Sequence, residues 1–199
     1  MNAREEILGR IDDATGDPAA EYAAIERPYL RSHHAEGIVD LFAERVADYQ
    51  AIVHRVRAAD LPAAIATALA ARPGDYGVPD GLPAEWVTGI HHARLASKPA
   101  DLERLAGVVT GCAVAIAETG TIVLDHGPGQ GRRALTLVPD YHLVVVRADQ
   151  IAADVPEALE RLDLTRPLTF VSGPSATSDI ELSRVEGVHG PRTLEVMIV

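Results

Sequence analysis

The stretch HLVVV, residues 142–146, decides the fold class of this chain. It places four apolar residues in succession after a histidine, and three of them are β-branched valines. A strand with one face in water would alternate apolar and polar residues, so an unbroken apolar run indicates a strand that is buried on both faces. Strands of this kind occur in parallel sheets that are covered on both sides, and the sequence therefore predicts an α/β domain.

Segments typical of strands and of helices alternate on both sides of this stretch. Runs rich in β-forming residues predict further strands at residues 51–56, 113–117, 121–124, 168–171 and 194–199, the last of which closes the sheet. Apolar stripes and capping residues predict helices at residues 2–13, 37–48, 60–71, 101–105 and 154–162, with Asn2 and Asp101 among the expected caps. The predicted fold class is α/β, with a mostly parallel sheet and helices on both faces.

The N-terminal part of the chain differs from the rest. Residues 18–37 contain proline, glycine, histidine and charged residues without a clear period. This composition predicts an extended arm, which packs either on the chain's own core or on another subunit of a homo-oligomer. The chain therefore divides into an N-terminal helix and arm, residues 1–36, and an α/β domain, residues 37–199.

Net charge and cysteine content exclude several classes of protein. The formal net charge is −11 and no basic patch is present, which argues against a nucleic-acid-binding surface. Cys112 is the only cysteine, so the chain alone forms neither an internal disulfide nor a cysteine-ligated cluster, and its apolar neighbours favour a buried thiol. The charged N-terminus lacks the apolar core of a signal peptide and no apolar stretch approaches membrane-spanning length, so we expect a cytoplasmic protein.

The stretch LTFVSGPSATSDIE, residues 168–181, is the first candidate for a ligand site. A short strand is followed by a proline-containing break and then by residues that often cap helix N-termini. A helix that begins near Ser175 would direct free N–H groups and the positive end of its dipole at a phosphate or carboxylate. A well-capped connection without a ligand explains the same pattern. The candidate ligand-binding residues are Ser172, Gly173, Pro174, Ser175, Thr177 and Asp179.

A tight turn between two predicted strands is the second candidate. Glu118 ends an apolar strand, where a buried carboxylate is rarely left without a role. Glu118 is therefore a candidate catalytic residue, and the alternative is a turn carboxylate that accepts hydrogen bonds from neighbouring N–H groups. Thr119, Gly120 and Thr121 of the same turn are candidate ligand-binding residues, since two of them add hydroxyls.

The loop GVHGPR, residues 187–192, contributes the second candidate catalytic residue. His189 is a candidate acid, base or hydrogen-bond donor, with a purely structural loop histidine as the alternative, and Gly190 is a candidate ligand-binding residue. We expect Glu118, Ser172, Ser175 and His189 to line one pocket, because ligand crevices of parallel α/β sheets lie outside the carboxyl ends of the strands.

The remaining motifs give weaker signals. GPGQGRR, residues 127–133, lacks the lysine and hydroxyl of a phosphate-binding loop, so we interpret it as a mobile loop whose arginines, Arg132 and Arg133, are available to an anion. The adjacent pairs His33-His34 and His91-His92 diverge on a helix or strand, so no metal site is assigned.

Four ordered motifs resemble the LUD-domain family of lactate-utilisation proteins. They are ETGTIVL (118–124), ALTLVPDYHLVVV (134–146), SGPSATSDIE (172–181) and GVHGPR (187–192). Arg133 and His142 stand where the family often has an arginine and a histidine around a Leu-Pro segment.

The resemblance implies a Rossmann-like fold of the class shared with sugar-phosphate isomerases and CoA transferases. It also implies a role in the bacterial oxidation of L-lactate to pyruvate, with partner proteins that carry the iron–sulfur clusters. On this interpretation the chain binds no cofactor of its own and has a pocket for a small carboxylate or phosphate. The alternative is a stand-alone enzyme that acts on a phosphorylated or CoA-linked small molecule, with Glu118 as base or nucleophile.

Overall fold

The computed structural model of the chain describes residues 2–15, 22–26, 34, 36–90, 92–93, 99–177, 185–186 and 190–199. The chain divides into two compact units, residues 1–30 and residues 31–199. In the described part, no helix combines the length and the apolar character needed to cross a bilayer.

The first unit contains helix α1, Ala3–Thr15, and a helical turn at residues 22–24. Asn2 caps α1 as predicted: its side-chain oxygen accepts from the Glu5 N–H at 2.9 Å, and the Glu5 carboxylate accepts from the Asn2 N–H at 2.9 Å. This reciprocal pair satisfies two of the N–H groups that a helix start leaves free. Most of the predicted arm lies outside the described residues.

The second unit contains the remaining elements. Its helices are α2 (Ile38–Asp48), α3 (Leu61–Ala70), α4 (Pro99–Leu102), α5 (Arg133–Leu137) and α6 (Val155–Glu160). Its strands are β1 (Ile52–Arg55), β2 (Tyr76–Gly77), β3 (His92–Ala93), β4 (Gly107–Thr110), β5 (Val114–Ile116), β6 (Thr121–Leu124), β7 (Tyr141–Val146), β8 (Ile151–Ala152), β9 (Thr169–Val171), β10 (Ala176–Thr177), β11 (Val185–Glu186) and β12 (Thr193–Ile198).

The main sheet has six strands in the order β1-β12-β7-β4-β2-β3, all parallel. All six residues of β7 are buried, as its apolar sequence predicts. The last strand does not close the sheet, because β12 pairs with β1 on one side and β7 on the other. That prediction was wrong, and the burial of Leu194–Ile198 agrees with an interior position.

A second sheet has four strands in the order β8-β5-β6-β9. Strands β5 and β6 pair antiparallel and are joined by the predicted tight turn. Gly120 in their turn has φ +59°, and a Cβ there would lie 2.7 Å from the carbonyl carbon of Arg45. Only glycine suits both the left-handed backbone and this close approach to α2.

The core consists of layers on both faces of the main sheet. Helix α3 packs on one face, through Leu61, Ile65 and Leu69. On the other face, α2 and the inner side of the four-stranded sheet share one apolar cluster with β7 and β12. Helix α6 packs on the outer side of the four-stranded sheet. The mostly parallel α/β architecture is thus confirmed, with a sheet as well as helices covering one face.

The predicted burial of Cys112 is confirmed, whereas the predicted helix cap at Asp101 is not. Cys112 is 6% exposed, and burial raises the pKa of its thiol to about 12, so the thiol is protonated at neutral pH. Asp101 lies inside α4 rather than at its N-cap, so the predicted cap is wrong. Helix α4 begins at Pro99, whose fixed φ and missing N–H suit a first turn.

Candidate ligand cleft

A cleft of about 220 Å³ lies where the two sheets meet. Its walls come from α5, from the residues just before β12, and from β9 with the residues after it. Its polar side chains are Thr136, His142, Thr169, Ser172 and Ser175. The other described lining residues are apolar, glycine or proline, so hydroxyls and one imidazole define its chemistry.

An ion pair joins the two chain segments that precede β7 and β12. The Arg192 guanidinium donates two hydrogen bonds of 2.6 Å to the Asp140 carboxylate, and the Thr193 N–H donates to the Asp140 carbonyl at 3.1 Å. The hydrogen bonds from Arg192 lower the pKa of Asp140. The Ser175 N–H donates to the Pro191 carbonyl at 2.8 Å, which holds the opposite wall in place.

Three hydroxyls join the β5–β6 turn to the cleft. Thr121 Oγ1 lies 2.8 Å from Thr119 Oγ1 and 2.8 Å from Ser172 Oγ. A hydroxyl both donates and accepts hydrogen bonds. The three hydroxyls therefore reorient together, so that Ser172 either donates a hydrogen bond to a ligand or accepts one from it. The predicted proximity of the turn and the 172–175 segment is therefore observed, but Thr119 and Thr121 lie behind Ser172 rather than in the cleft wall.

A histidine from the glycine-rich loop positions Thr169. The His126 ring lies 3.0 Å from the Gly131 carbonyl through Nδ1 and 3.0 Å from Thr169 Oγ1 through Nε2. The Asp125 carboxylate accepts from Gln130 Nε2 at 2.7 Å and from the Gly127 N–H at 3.1 Å, which folds the loop on itself. These hydrogen bonds give the loop a defined conformation, and its mobility stays a prediction.

His142 forms the floor of the cleft. It is 1% exposed, and its Nε2 lies 2.8 Å from Thr110 Oγ1 on the neighbouring strand β4. Burial lowers the pKa of His142 to about 3, so the imidazole is uncharged at neutral pH. The cleft therefore contains a neutral histidine between apolar walls and hydroxyls.

The two candidate catalytic residues have different outcomes, and Glu118 is not among the described residues of the cleft lining. Glu118 is exposed, so the reasoning from a buried carboxylate does not apply to it. For the turn alternative, the Gly120 N–H donates to the Ala117 carbonyl at 3.3 Å and so does not depend on the Glu118 carboxylate. His189 lies outside the described residues, as does Asp179. Catalytic roles for Glu118 and His189 stay predictions.

The 172–175 segment lines the cleft, but no helix begins at Ser175, because Ala176–Thr177 is a strand, and residues 178–184 lie outside the described residues. Ser172, Gly173, Pro174, Ser175 and Gly190 all line the cleft. Beyond them the backbone continues as β10, which contains Thr177 and pairs antiparallel with β11. Thr177 therefore lies in an extended segment, and the argument from a helix dipole at Ser175 has no support here. Arg133 is exposed in α5, outside the cleft lining.

The cleft also lies at a different place in the sheet than predicted. Strands β5 and β9 belong to the four-stranded sheet, where β6 separates them. The cleft meets β9 at its carboxyl end, but it meets β7 and β12 near their amino ends, at His142 and Leu194. The rule for carboxyl ends assumes one parallel sheet, and this site lies between two sheets.

Sequence reasoning noted His142 only through the resemblance, and it missed Thr110 and His126. A usable signal existed for His142, because a titratable residue inside a strand buried on both faces needs a partner. The partner, Thr110, is the last residue of β4 and is separated by 32 positions in the sequence. Its pairing required knowledge of the strand order.

A second polar cluster lies on the opposite face of the main sheet. The Glu195 carboxylate, 4% exposed, accepts from the Tyr141 hydroxyl at 2.9 Å and lies 2.8 Å from His54 Nε2. Arg72 lies over the Tyr141 ring at 4.3 Å and 3.8 Å from the same carboxylate. Burial is the main cause that raises the pKa of Tyr141. This cluster neutralises a buried carboxylate, as buried charges require.

Gly173 gives a test of the cleft's geometry. Its φ is +82°, and a Cβ there would lie 2.5 Å from the Tyr49 Cβ and 2.9 Å from the Tyr49 carbonyl oxygen. We expect Gly173→Ala to lower the free energy of unfolding by about 2–4 kcal/mol, through left-handed strain and this overlap. Urea denaturation followed by circular dichroism measures the change.

Gly190→Ala is the matched control. Gly190 lines the same cleft without a left-handed φ, and a Cβ there would meet Ser175 Cβ at an ordinary 3.5 Å. The free energy of unfolding of the Gly190→Ala protein should stay within about 1 kcal/mol of the wild-type value. Equal destabilisation by both substitutions would contradict the described backbone.

Comparison with known proteins identifies the family. A model of the LUD domain matches residues 97–199. The lactate utilization protein C of Deinococcus radiodurans is 52% identical over 170 residues, which cover 81% of this chain and 79% of that protein. The chain belongs to the LUD domain family.

Other members of the LUD domain family agree with this result. A lactate utilization protein C of a Geobacillus species is 33% identical over 138 residues, covering 63% of this chain and 57% of that protein. The crystal structure of a DUF162 family protein from Deinococcus radiodurans matches with a TM-score of 0.71 and 46% identity, covering 81% of this chain and 96% of that one. The α/β fold is therefore shared with a solved structure.

Proposed function

We propose that this chain is a subunit of a bacterial system that oxidises L-lactate to pyruvate, and that it binds a small carboxylate in the cleft. The observation that carries the proposal is the 52% identity to a lactate utilization protein C over most of both chains. In the proposed system, partner proteins hold the iron–sulfur clusters that accept the electrons. This chain supplies a binding site and no redox centre.

The cleft supports a small ligand rather than a large one. Its volume of about 220 Å³ suits a molecule of the size of lactate or pyruvate and is below the usual range for drug-sized ligands. The polar groups are hydroxyls and an imidazole, which bind oxygen atoms by hydrogen bonds without requiring a charged partner. Apolar contacts from Leu137 and Leu194 fit a methyl group.

The stand-alone enzyme hypothesis receives less support. Its expected base, Glu118, is exposed and outside the described cleft lining. A CoA-linked substrate is too large for a cleft of about 220 Å³, which is below the usual range for drug-sized ligands. The lactate role is therefore the better explanation of the geometry.

Growth of a deletion strain tests the proposed function. Removal of the gene should abolish growth on L-lactate as sole carbon source and leave growth on pyruvate unchanged, because the block precedes pyruvate. A plasmid copy of the gene should restore growth on L-lactate. Undiminished growth of the deletion strain on L-lactate, with no second copy in the genome, would overturn the proposal.

The purified chain should contain no iron and should be colourless. Its single cysteine cannot ligate a cluster, and the described residues contain no group of histidine, cysteine or acidic side chains that could hold a metal ion. Elemental analysis and the visible absorption spectrum measure this directly. Stoichiometric iron in the isolated chain would contradict the assignment of the clusters to partner proteins.

A further inference from the structure

The hydrogen bond between His142 and Thr110 fixes which ring nitrogen carries the proton. Thr110 is completely buried, and its hydroxyl lies 2.8 Å from His142 Nε2. Among the described residues, this hydroxyl has no second hydrogen-bond partner. If Nε2–H donated to Thr110, the buried Thr110 proton would have no acceptor, which is costly. The Thr110 hydroxyl therefore donates to Nε2, and Nδ1 carries the proton in the neutral ring.

The protonated nitrogen, Nδ1, faces the cleft. It has no hydrogen-bond partner within the described part of the chain. In that same part, no buried side-chain nitrogen or oxygen atom lacks a partner. Nδ1 is therefore accessible to solvent, and the cleft is a cavity that His142 lines. A donor on a residue that is 1% exposed is thus available to a ligand.

We propose that His142 is a ligand-binding residue whose Nδ1–H donates a hydrogen bond to an oxygen atom of the small carboxylate in the cleft. This inference rests on the proposed function for the class of ligand. Thr110 is a positioning residue, because its hydroxyl fixes the tautomer and does not line the cleft. The interaction uses a neutral donor, so binding takes up no proton.

The surroundings of His142 favour a neutral donor over an imidazolium. The other described lining residues are hydroxyl-bearing, apolar, glycine or proline, so none of them titrates between pH 5 and 8. His126 lies behind Thr169, to which its Nε2 is hydrogen-bonded. No described acidic group faces the ring to stabilise a positive charge. The affinity for pyruvate, which stays anionic, should then change less than about twofold between pH 5.5 and 8.

Nitrogen-15 NMR of the histidine rings tests the tautomer without any ligand. We expect His142 to show a protonated Nδ1 and an unprotonated Nε2 throughout pH 5.5–8. Saturation with pyruvate should shift the Nδ1 resonance. A protonated Nε2, a ring that titrates within this range, or an Nδ1 resonance unchanged by bound pyruvate would overturn the proposal.

Two substitutions at His142 separate hydrogen bonding from shape. His142→Leu removes the donor and should weaken pyruvate binding at least about tenfold, as expected for one hydrogen bond to a charged group. His142→Asn keeps an N–H near the Nδ1 position and should bind within about threefold of the wild type. Equal affinity of the leucine variant and the wild type would overturn the proposal.

Thr110→Val provides a second, independent variant. It keeps the shape of the side chain and removes the hydroxyl, so it should release the tautomer and produce a measurable population of the Nε2–H form. An unchanged Nδ1–H tautomer in a folded Thr110→Val protein would overturn the positioning role. These results are separable from the proposed function, because the tautomer of the ligand-free protein does not depend on growth on L-lactate.

Discussion

Ser175→Glu is expected to abolish the rescue of growth on L-lactate by a plasmid copy of the gene. Ser175 lines the cleft, and its backbone N–H is bonded to the Pro191 carbonyl, a contact that the substitution retains. A glutamate there fills part of a cleft of about 220 Å³ and adds a negative charge. Two like charges about 4 Å apart repel by about 1 kcal/mol in water and about 4 kcal/mol near a protein surface, which lowers affinity roughly 5- to 1,000-fold.

Ala66→Glu is the control for charge. Ala66 is exposed on α3, which covers the face of the main sheet opposite the cleft. The substitution adds the same charge to a helix surface away from the cleft, so a plasmid copy that carries it should restore growth on L-lactate fully. Circular dichroism and expression levels establish that both variants fold. Full rescue by a folded Ser175→Glu protein would show that the cleft has no part in lactate utilisation.

The second large effect concerns stability in acid. The pKa of His142 is lowered by burial to about 3 in the folded chain, against about 6.5 in the unfolded chain. Between these values the unfolded chain binds a proton that the folded chain does not, so stability is lost as the pH falls through this window. The slope approaches about 1.4 kcal/mol per pH unit, and roughly 2 kcal/mol is lost by pH 5 relative to neutral pH.

Comparison with His142→Leu isolates this contribution. The variant keeps every other titrating group, so the difference between the two pH profiles belongs to the imidazole. Urea denaturation at intervals from pH 5 to 7.5 should show a steeper loss of stability in the wild type than in the variant. Parallel profiles would mean that His142 becomes protonated in the folded protein, and that the site is open to water.

The sequence predicted the fold well where its signal is local. The apolar run 143–146 was sufficient for a strand buried on both faces, and the tight turn predicted around Gly120 is present between β5 and β6. The order of the strands in the sheet is not determined by the local sequence of each strand. Nothing in the sequence of β12 distinguishes an edge from the interior of the sheet, because a parallel sheet covered on both faces gives similar apolar strands at every inner position.

The candidate site was predicted in part. Of the four residues expected to line one pocket, Ser172 and Ser175 line the cleft, because breaks in the chain mark where strands end. The residues after Ser175 were assigned to a helix, since serine, threonine and aspartate favour helix caps and other turns alike. Glu118 was assigned a buried setting from its apolar neighbours, but it falls just beyond the strand, where the chain reaches solvent.

Mapping of pyruvate binding by amide NMR tests most directly whether the cleft is the ligand site of this protein. Saturable shifts should concentrate at residues 136–137, 142, 169–175 and 190, which line the cleft. The groove around His54 and Glu195, on the other face of the main sheet, should show none. Shifts centred on that groove, or no saturable shift at any pyruvate concentration, would contradict a carboxylate site in the cleft.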